Sequence, residues 1–272
     1  MRPSKVLTKL RDGQPVMFYC LHLTDPSVWE LASLLGLDCI WFDMEHHAHN
    51  METANTLFRA ARVGTADVIA RPAKGEWMRA LRMLEAGAHG LLYPRISDLD
   101  EARELVRWTK FAPLGERGFD GGNPDMPYCS MDMAEYIQFA NDNTFNIIQI
   151  ENPGSLDHVE AMLELDGIDG AMLGPADFTT LSGIPGQFDH PKVQQALDRI
   201  RKAAENTGKH CGMAAGVDRA RQLVAEGAKL IFTGADIVVL KAALEALPAT
   251  WGPLGLTFDN QLTRGASYMQ KV

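Results

Sequence analysis

Nine consecutive residues, Phe42 to Asn50, read FDMEHHAHN and set Asp43, Glu45, His46, His47 and His49 almost side by side. Such a stretch can support two kinds of chemistry. Histidines one residue apart, as in His47-Ala48-His49, suit zinc when further histidines complete the coordination. An imidazole beside carboxylates instead moves protons, because it titrates near neutrality and a carboxylate fixes its tautomer. His46 suits the second role, since it stands closest to the preceding apolar run with Asp43 and Glu45 as neighbours. His47 and His49 are then expected to be solvated loop residues.

Three further places carry reactive side chains at the ends of apolar runs. Arg71 follows DVIA and precedes Pro72, which holds its backbone extended. Its planar fork suits a carboxylate or a developing enolate oxygen, or equally a structural ion pair. Glu151 ends NIIQIE, with Gln149 two residues back and so on the same face of a strand. Asp177 lies in GPAD, just past another apolar run. Two converging carboxylates repel unless a cation sits between them, and with oxygen donors that cation is hard: Mg²⁺ or Mn²⁺, with Co²⁺ also able to share such a site. Acids at helix starts also suit the macrodipole, so capping is the competing reading of both.

These residues need a scaffold that brings separate strand ends together. Eight short apolar runs recur, at 16–21, 38–43, 67–71, 90–94, 146–151, 169–174, 210–214 and 229–234. Helical patterns lie between them, with SVWELASLLG, EWMRALRMLEAG, DEARELVRWTKF and HPKVQQALDRIRKAAENTG as examples. Gly36, Gly87, Gly208 and Gly227 fall where a left-handed residue stops a helix. Several strands are apolar on both faces, as in a covered parallel sheet. Eight β–α units in about 250 residues predict a (β/α)₈ TIM barrel, with its reactive groups at the carboxyl ends of the strands. An open doubly wound sheet usually carries a Gly-rich loop after strand one, and LHLTDPS lacks it. Residues 1–247 are expected to form the barrel domain and 248–272 a C-terminal extension. The Gly- and Pro-rich segment 111–130 breaks the rhythm and reads as a lid or a subunit contact.

With the strands placed, the zinc reading loses its partners. His89 and His210 precede or open strands and face the other end, which leaves only His22, just past strand one. Lysine at a strand mouth, as a Schiff-base aldolase needs, is also missing: Lys74 alone lies near, in a loop beyond Arg71. The 35 acidic and 26 basic residues give a net charge of −9, which favours neither nucleic acid nor an anionic membrane as partner. An anionic substrate would need a local cation to overcome that field. The four cysteines, at 20, 39, 129 and 211, form no C-x-x-C pair and read as free thiols in a reducing compartment. No apolar run approaches a membrane span and no signal segment is evident, so a cytoplasmic location is expected.

In order, D-x-E-H after strand two, RP after strand three, QIE and GPAD resemble the HpcH/HpaI aldolases, metal-dependent (class II) pyruvate aldolases acting on 4-hydroxy-2-oxo acids. LLYP, GERG and HPKVQ extend the likeness from about residue 13 to about residue 246. The resemblance implies Glu151 and Asp177 as metal ligands and Arg71 as the residue that binds pyruvate and its enolate. It implies His46 as the base, acting through a water and paired across a subunit contact with an acid that corresponds to Glu85. It places the substrate carboxylate on the backbone amides of Ala176 and Asp177, and implies a homo-oligomer, a hexamer built from dimers, acting on a 2-oxo acid and an aldehyde. This chain departs from the pattern in several places. Its acidic-histidine stretch is one residue longer and adds His47 and His49, Glu85 stands for an Asp, and Cys20 stands where many members have Trp. The alternatives are a CoA-thioester lyase of the citrate-lyase β type and a zinc hydrolase built on His47 and His49.

Overall fold

The computed structural model describes residues 2–262. Eight parallel strands close in sequence order into a barrel: β1 (Val16–Cys20), β2 (Cys39–Asp43), β3 (Asp67–Arg71), β4 (Gly90–Tyr93), β5 (Phe145–Ile150), β6 (Gly170–Leu173), β7 (His210–Ala214) and β8 (Leu230–Ala235). Each lies within a residue or two of its expected run. The helices are α1 (Lys5–Arg11), α2 (Pro26–Leu34), α3 (Met51–Ala61), α4 (Trp77–Glu85), α5 (Leu99–Thr109), α6 (Met133–Asn143), α7 (Val159–Leu163), α8 (Pro175–Leu181), α9 (Pro191–Thr207), α10 (Val217–Ala225), α11 (Asp236–Glu245) and α12 (Leu247–Trp251). The chain is a (β/α)₈ TIM barrel.

Local chemistry sets the helix ends. Asp25, Asn50 and Asp98 accept first-turn amide protons at the starts of α2, α3 and α5, which satisfies donors a helix start leaves open. Gly36, Gly87, Gly208 and Gly227 all have positive φ, as their positions after helices predict.

The strand alternation divides the core in two. One set of residues faces outward to the helices. The inward set, including Phe18, Cys39, Ile69, Leu92, Phe145, Ile147, Met172, Leu230 and Phe232, fills the barrel. Phe18 and Phe232 stack at 4.4 Å across the closing pair of strands. Helix α1, which no sequence pattern announced, contributes Val6, Leu7 and Leu10 to this inner cluster. Buried Asp67 ties the preceding segment down, accepting from the Ser4 hydroxyl and the Val6 amide and pairing with Arg2. The amino-terminal end of the barrel is thereby closed, with Asp67 the charged inward residue there and its charge matched by Arg2.

Two sequence expectations change here. The segment 111–130 follows α5 and therefore lies at the amino-terminal end, where the backbone carbonyl of Pro124 accepts from Arg62. Its buried Arg117 donates to Asp125, which also accepts from Tyr136, and Arg117 sits 4.5 Å over the Phe111 ring. It is an anchored segment, not a lid over this chain's own strand ends. The second change concerns apolar length. The helical stretch Asp236–Leu254 is, by length and composition, long and apolar enough to cross a membrane. Lys241, Glu245 and Pro248 interrupt its apolar residues, so the sequence shows no continuous apolar run there. From Asp236 to Leu262 no residue is fully buried, and Asp236 ties the start of this stretch to His22 and Leu23 after β1. The last part of the expected C-terminal extension, 263–272, lies outside the described residues.

Candidate active site

The inward faces of β2, β3 and β5 turn from apolar to charged as they reach the mouth. On β2 the inward series is Cys39, Trp41, Asp43, on β3 it is Ile69, Arg71, and past β5 it continues through Gln149 to Glu151. Parallel pairing puts Asp43 level with Arg71. The Asp43 carboxylate accepts two hydrogen bonds from Arg71, from Nε to Oδ1 and from Nη2 to Oδ2, each 2.8 Å. The guanidinium lies 4.7 Å from the Trp41 ring centre, and Arg71 is only 5% exposed. Burial alone would raise the Asp43 carboxyl, but the Arg71 bonds outweigh it and hold it at about 2. The ion-pair reading of Arg71 is therefore realised on one edge of its fork. The other edge, Nη1, faces Gln149 Oε1 at 3.3 Å and Glu45 Oε2 at 3.2 Å.

Glu151 is buried beside this edge. It accepts from Gln149 Nε2 at 2.6 Å and from the Arg95 amide at 2.9 Å. Burial, with the charges of Glu45 and Asp177 added, pushes its carboxyl up to about 8 despite Arg71 nearby. Glu45 is also raised, first by burial and then by Asp43 and Asp177. Its Oε2 is buried and, despite standing within ion-pair range of Arg71, makes no hydrogen bond among the described residues. Gly174 makes room for this arrangement: a Cβ there would stand 2.6 Å from both Cγ and Oε1 of Glu151. Asp177 lies in the first turn of α8, half-buried, and that turn has no side-chain cap. The capping alternative for Asp177 thus has no hydrogen bond behind it. Three mutually repelling carboxylates with one orphaned oxygen form an environment that a hard cation fits, Glu151 and Asp177 being the natural donors. Among the described residues no three His, Cys, Asp or Glu side chains form a ready-made metal cage, so waters or substrate oxygens must complete the shell.

The histidines are arranged differently from expectation. His46 is the exposed one, with a side chain 54% accessible and Glu45 Oε2 at 3.6 Å as its carboxylate neighbour. Asp43 serves Arg71 and His47 instead: His47 Nδ1 donates to Asp43 Oδ2 at 3.0 Å. His47 and His49 are not solvated loop decoration. They stack at 5.4 Å, His49 lies on Phe42, and His22 meets His47 edge-on at 4.5 Å. The zinc reading gains nothing from this, because Nδ1 of His47 is taken by Asp43 and no third ligand converges.

Glu85 stands apart from all of these within the chain. It ends α4, at the closed end of the barrel, and burial raises its carboxyl among Arg117, Asp120 and Asp125 of the 111–130 segment. Residues with no assigned part in the sequence reading now join the site: Trp41 under the guanidinium, the Arg95 amide on Glu151, Gly174, and Asp236, which holds His22. Alternation along CIWFD could have placed Trp41 and Asp43 on one face, and Gly174 opens the GPAD stretch. Nothing in the sequence signals Arg95 or Asp236.

The comparisons with known proteins fit this geometry. The HpcH/HpaI aldolase/citrate lyase family model matches residues 15–243. The chain is 30% identical over 244 residues to the 4-hydroxy-2-oxo-heptane-1,7-dioate aldolase of Escherichia coli, spanning 89% of this chain and 93% of that one. An HpcH/HpaI aldolase structure from Desulfitobacterium hafniense DCB-2 superposes with a TM-score of 0.83 at 29% identity, covering 89% of this chain and 95% of the other. A structure from Burkholderia cenocepacia J2315, an HpcH/HpaI aldolase/citrate lyase family protein, does so with 0.83 at 30% identity, covering 91% and 99%. A barrel with clustered acids and a fixed arginine at its mouth, matched over this length, defines a carbon–carbon lyase of the aldolase type. The chain belongs to the HpcH/HpaI aldolase/citrate lyase family.

Removing the carboxylate under Arg71 tests the core of the site. Asp43→Asn is expected to cost about 3–5 kcal/mol at pH 7, because it leaves a buried guanidinium uncompensated. Asp43 titrates at about 2, below its ordinary 3.8, so its stabilising contribution is complete above the ordinary range and fades as pH falls toward 2. Urea unfolding should therefore show the gap between wild type and variant narrowing from about pH 4 down to about pH 2. A gap that stays constant across that window would contradict the pairing.

Proposed function

We propose that the protein is a divalent-metal-dependent aldolase that reversibly cleaves a 4-hydroxy-2-oxo acid to pyruvate, or a close 2-oxo acid, and an aldehyde. The observation that carries this reading is the Arg71 edge held by Asp43 directly beside Glu45, Gln149 and Glu151. A cation held by Glu151 and Asp177, Mg²⁺ or Mn²⁺, would supply the positive charge that stabilises an enolate. The rest falls to the chain's own groups. The open first turn of α8, with the amides of Ala176 and Asp177, receives the substrate carboxylate. Arg71 Nη1 donates to the ketone oxygen, and Gln149 positions both Arg71 and Glu151. His46, through a water, takes the proton from the C4 hydroxyl. The C4–O bond becomes a carbonyl, the C3–C4 bond breaks, and its electron pair passes through C2 to the ketone oxygen. Arg71 stabilises that charge in place, without reorganisation, because Asp43 and Trp41 already fix it. Protonation at C3 then yields pyruvate.

Within one chain Glu85 is too far down the barrel to pair with His46. The proposed dyad therefore requires a second subunit, in line with a hexameric homo-oligomer. The substrate named for the Escherichia coli relative is a 4-hydroxy-2-oxo acid, which supports the same class here. The CoA-thioester alternative gains no observation from the mouth, where carboxylates outnumber cations.

Pyruvate alone tests the reading without knowledge of the aldehyde. In D₂O with Mg²⁺ or Mn²⁺, loss of the methyl proton signal is expected, abolished by EDTA and slowed at least 10²-fold in His46→Ala and Glu151→Ala variants. Folded protein that exchanges nothing with any divalent metal would count against the aldolase. Gly174→Ala is a subtler probe, since its methyl group forces the Glu151 carboxylate and Gln149 Nε2 aside while removing no polar group. It should slow the same exchange about 10²-fold while leaving the thermal midpoint near wild type. Exchange at the wild-type rate would show that Glu151 need not sit where Gly174 lets it.

A further inference from the structure

The mouth is divided. The groups assigned to the pyruvyl end come from β3, β5 and the turn after β6: Arg71, Gln149, Glu151, Ala176 and Asp177. The opposite arc, where β8, β1 and β2 end, carries a separate set built around His22 and His47. Two carboxylates hold these imidazoles. His22 Nδ1 lies 3.2 Å from Asp236 Oδ1, and Asp236 also accepts from the backbone amides of His22 and Leu23, each at 2.9 Å. His47 Nδ1 lies 3.0 Å from Asp43 Oδ2. The two rings meet edge to face at 4.5 Å, and their side chains are 27% and 28% exposed. Neither is packed away, and neither is free to turn.

The tautomers follow from the acids. Asp43 and Asp236 are both held below the usual carboxylate range, despite burial, by the hydrogen bonds they accept. A carboxylate can only accept, so both histidines donate from Nδ1 and leave Nε2 turned away from the acid as the free polar edge of the ring. Nε2 of His22 has only the Cys20 sulfur, at 4.0 Å, for company. Nε2 of His47 has no hydrogen-bond partner among the described residues. His47 is also one carboxylate removed from Arg71, because Asp43 Oδ2 accepts from both. The pair therefore lies beyond the anchored edge of Arg71, across the mouth from Gln149 and Glu151, on the side that the proposed pyruvyl end leaves for the aldehyde.

We propose that His22 and His47 form the aldehyde subsite and select an acceptor that carries a hydroxyl group, a hydroxyaldehyde, over an alkyl or a carboxylate-bearing one. This rests on the aldolase reading above and deepens it. A hydroxyl can donate to or accept from Nε2 and so pairs a polar nitrogen that an alkyl tail leaves unpaired. A carboxylate tail meets the charges of Asp43 and Asp236 behind the two rings. The substrate named for the Escherichia coli relative, a heptane-1,7-dioate, carries a second carboxylate at its far end, so the inference separates this chain from that relative in specificity.

The test measures kcat/KM for aldol addition of pyruvate to glycolaldehyde, propionaldehyde and succinic semialdehyde, on the full chain with Mn²⁺. Wild type is expected to prefer glycolaldehyde over each of the other two by about tenfold or more, the worth of one satisfied hydrogen bond. His47→Phe and His22→Phe keep a ring at each place but remove the polar nitrogen. Each should bring the glycolaldehyde-to-propionaldehyde ratio toward one, and His47→Gln, which restores a polar group, should recover part of it. Ratios are read within each variant, so a general loss of rate does not mimic the effect. Should one Phe variant fail to fold, the other still decides. A wild-type preference for propionaldehyde or succinic semialdehyde, or ratios unchanged in both Phe variants, would overturn the proposal. Methyl exchange of pyruvate by the wild type separates the two levels: exchange with no hydroxyaldehyde preference overturns the subsite alone, whereas no exchange overturns the aldolase reading and the subsite with it.

Discussion

The mouth of this barrel depends on one buried ion pair. Arg71 ends β3 with almost no exposure, and it keeps its charge there because Asp43, level with it on β2, accepts from two of its nitrogens. A planar fork anchored along one edge and laid on Trp41 can present only its other edge. That edge reaches Gln149 and Glu45, and Gln149 in turn fixes Glu151. The same Asp43 oxygen that accepts from Arg71 also orients His47. Loss of this pair would therefore disturb Gln149 and Glu151, the free edge of the guanidinium and the histidine arc together.

The surrounding charges make sense only as a group. Asp177 raises the cost of ionising both Glu45 and Glu151, Glu45 adds to that of Glu151, and Arg71 alone does not offset them, as the lifted carboxyl of Glu151 shows. A mouth of this kind favours positive charge. The apolar inner core and α1 separate this charged layer from the far end, where buried Asp67 is offset by Arg2. Gly174 then sets how near Glu151 can approach the turn before α8.

How much of this was legible in the sequence depended on range. The eight strands were readable because their apolar runs are local, and the helix stops because only left-handed positions favour the four glycines found there. Arg71, Gln149, Glu151 and Asp177 were readable as candidates because a barrel gathers strand ends at one rim. Their partners were not. Which acid holds Arg71 depends on strand register, which put Asp43 opposite it and left His46 with Glu45. His47 looked like a loop residue because its fixing contacts, Asp43 and His22, come from the end of β2 and from the segment after β1. Glu85 was carried over from a family pattern, and in a single chain it sits among Arg117, Asp120 and Asp125 instead. A contact between subunits leaves no trace in one chain's periodicity. The helix α11 shows the same limit, being apolar enough for burial yet exposed from Ile237 to Glu245.

The central claim, that the carboxylates at the mouth exist to hold a divalent cation beside Arg71, is most directly tested by binding rather than turnover. Protein stripped with a chelator would be titrated with Mn²⁺ and followed by the electron paramagnetic resonance signal of the free ion. The account predicts one Mn²⁺ bound per chain, lost or severely weakened in Glu151→Gln, with pyruvate altering the bound-ion spectrum of the wild type. Absence of stoichiometric binding in the folded wild type, or equal binding by the Glu151→Gln variant, would contradict it.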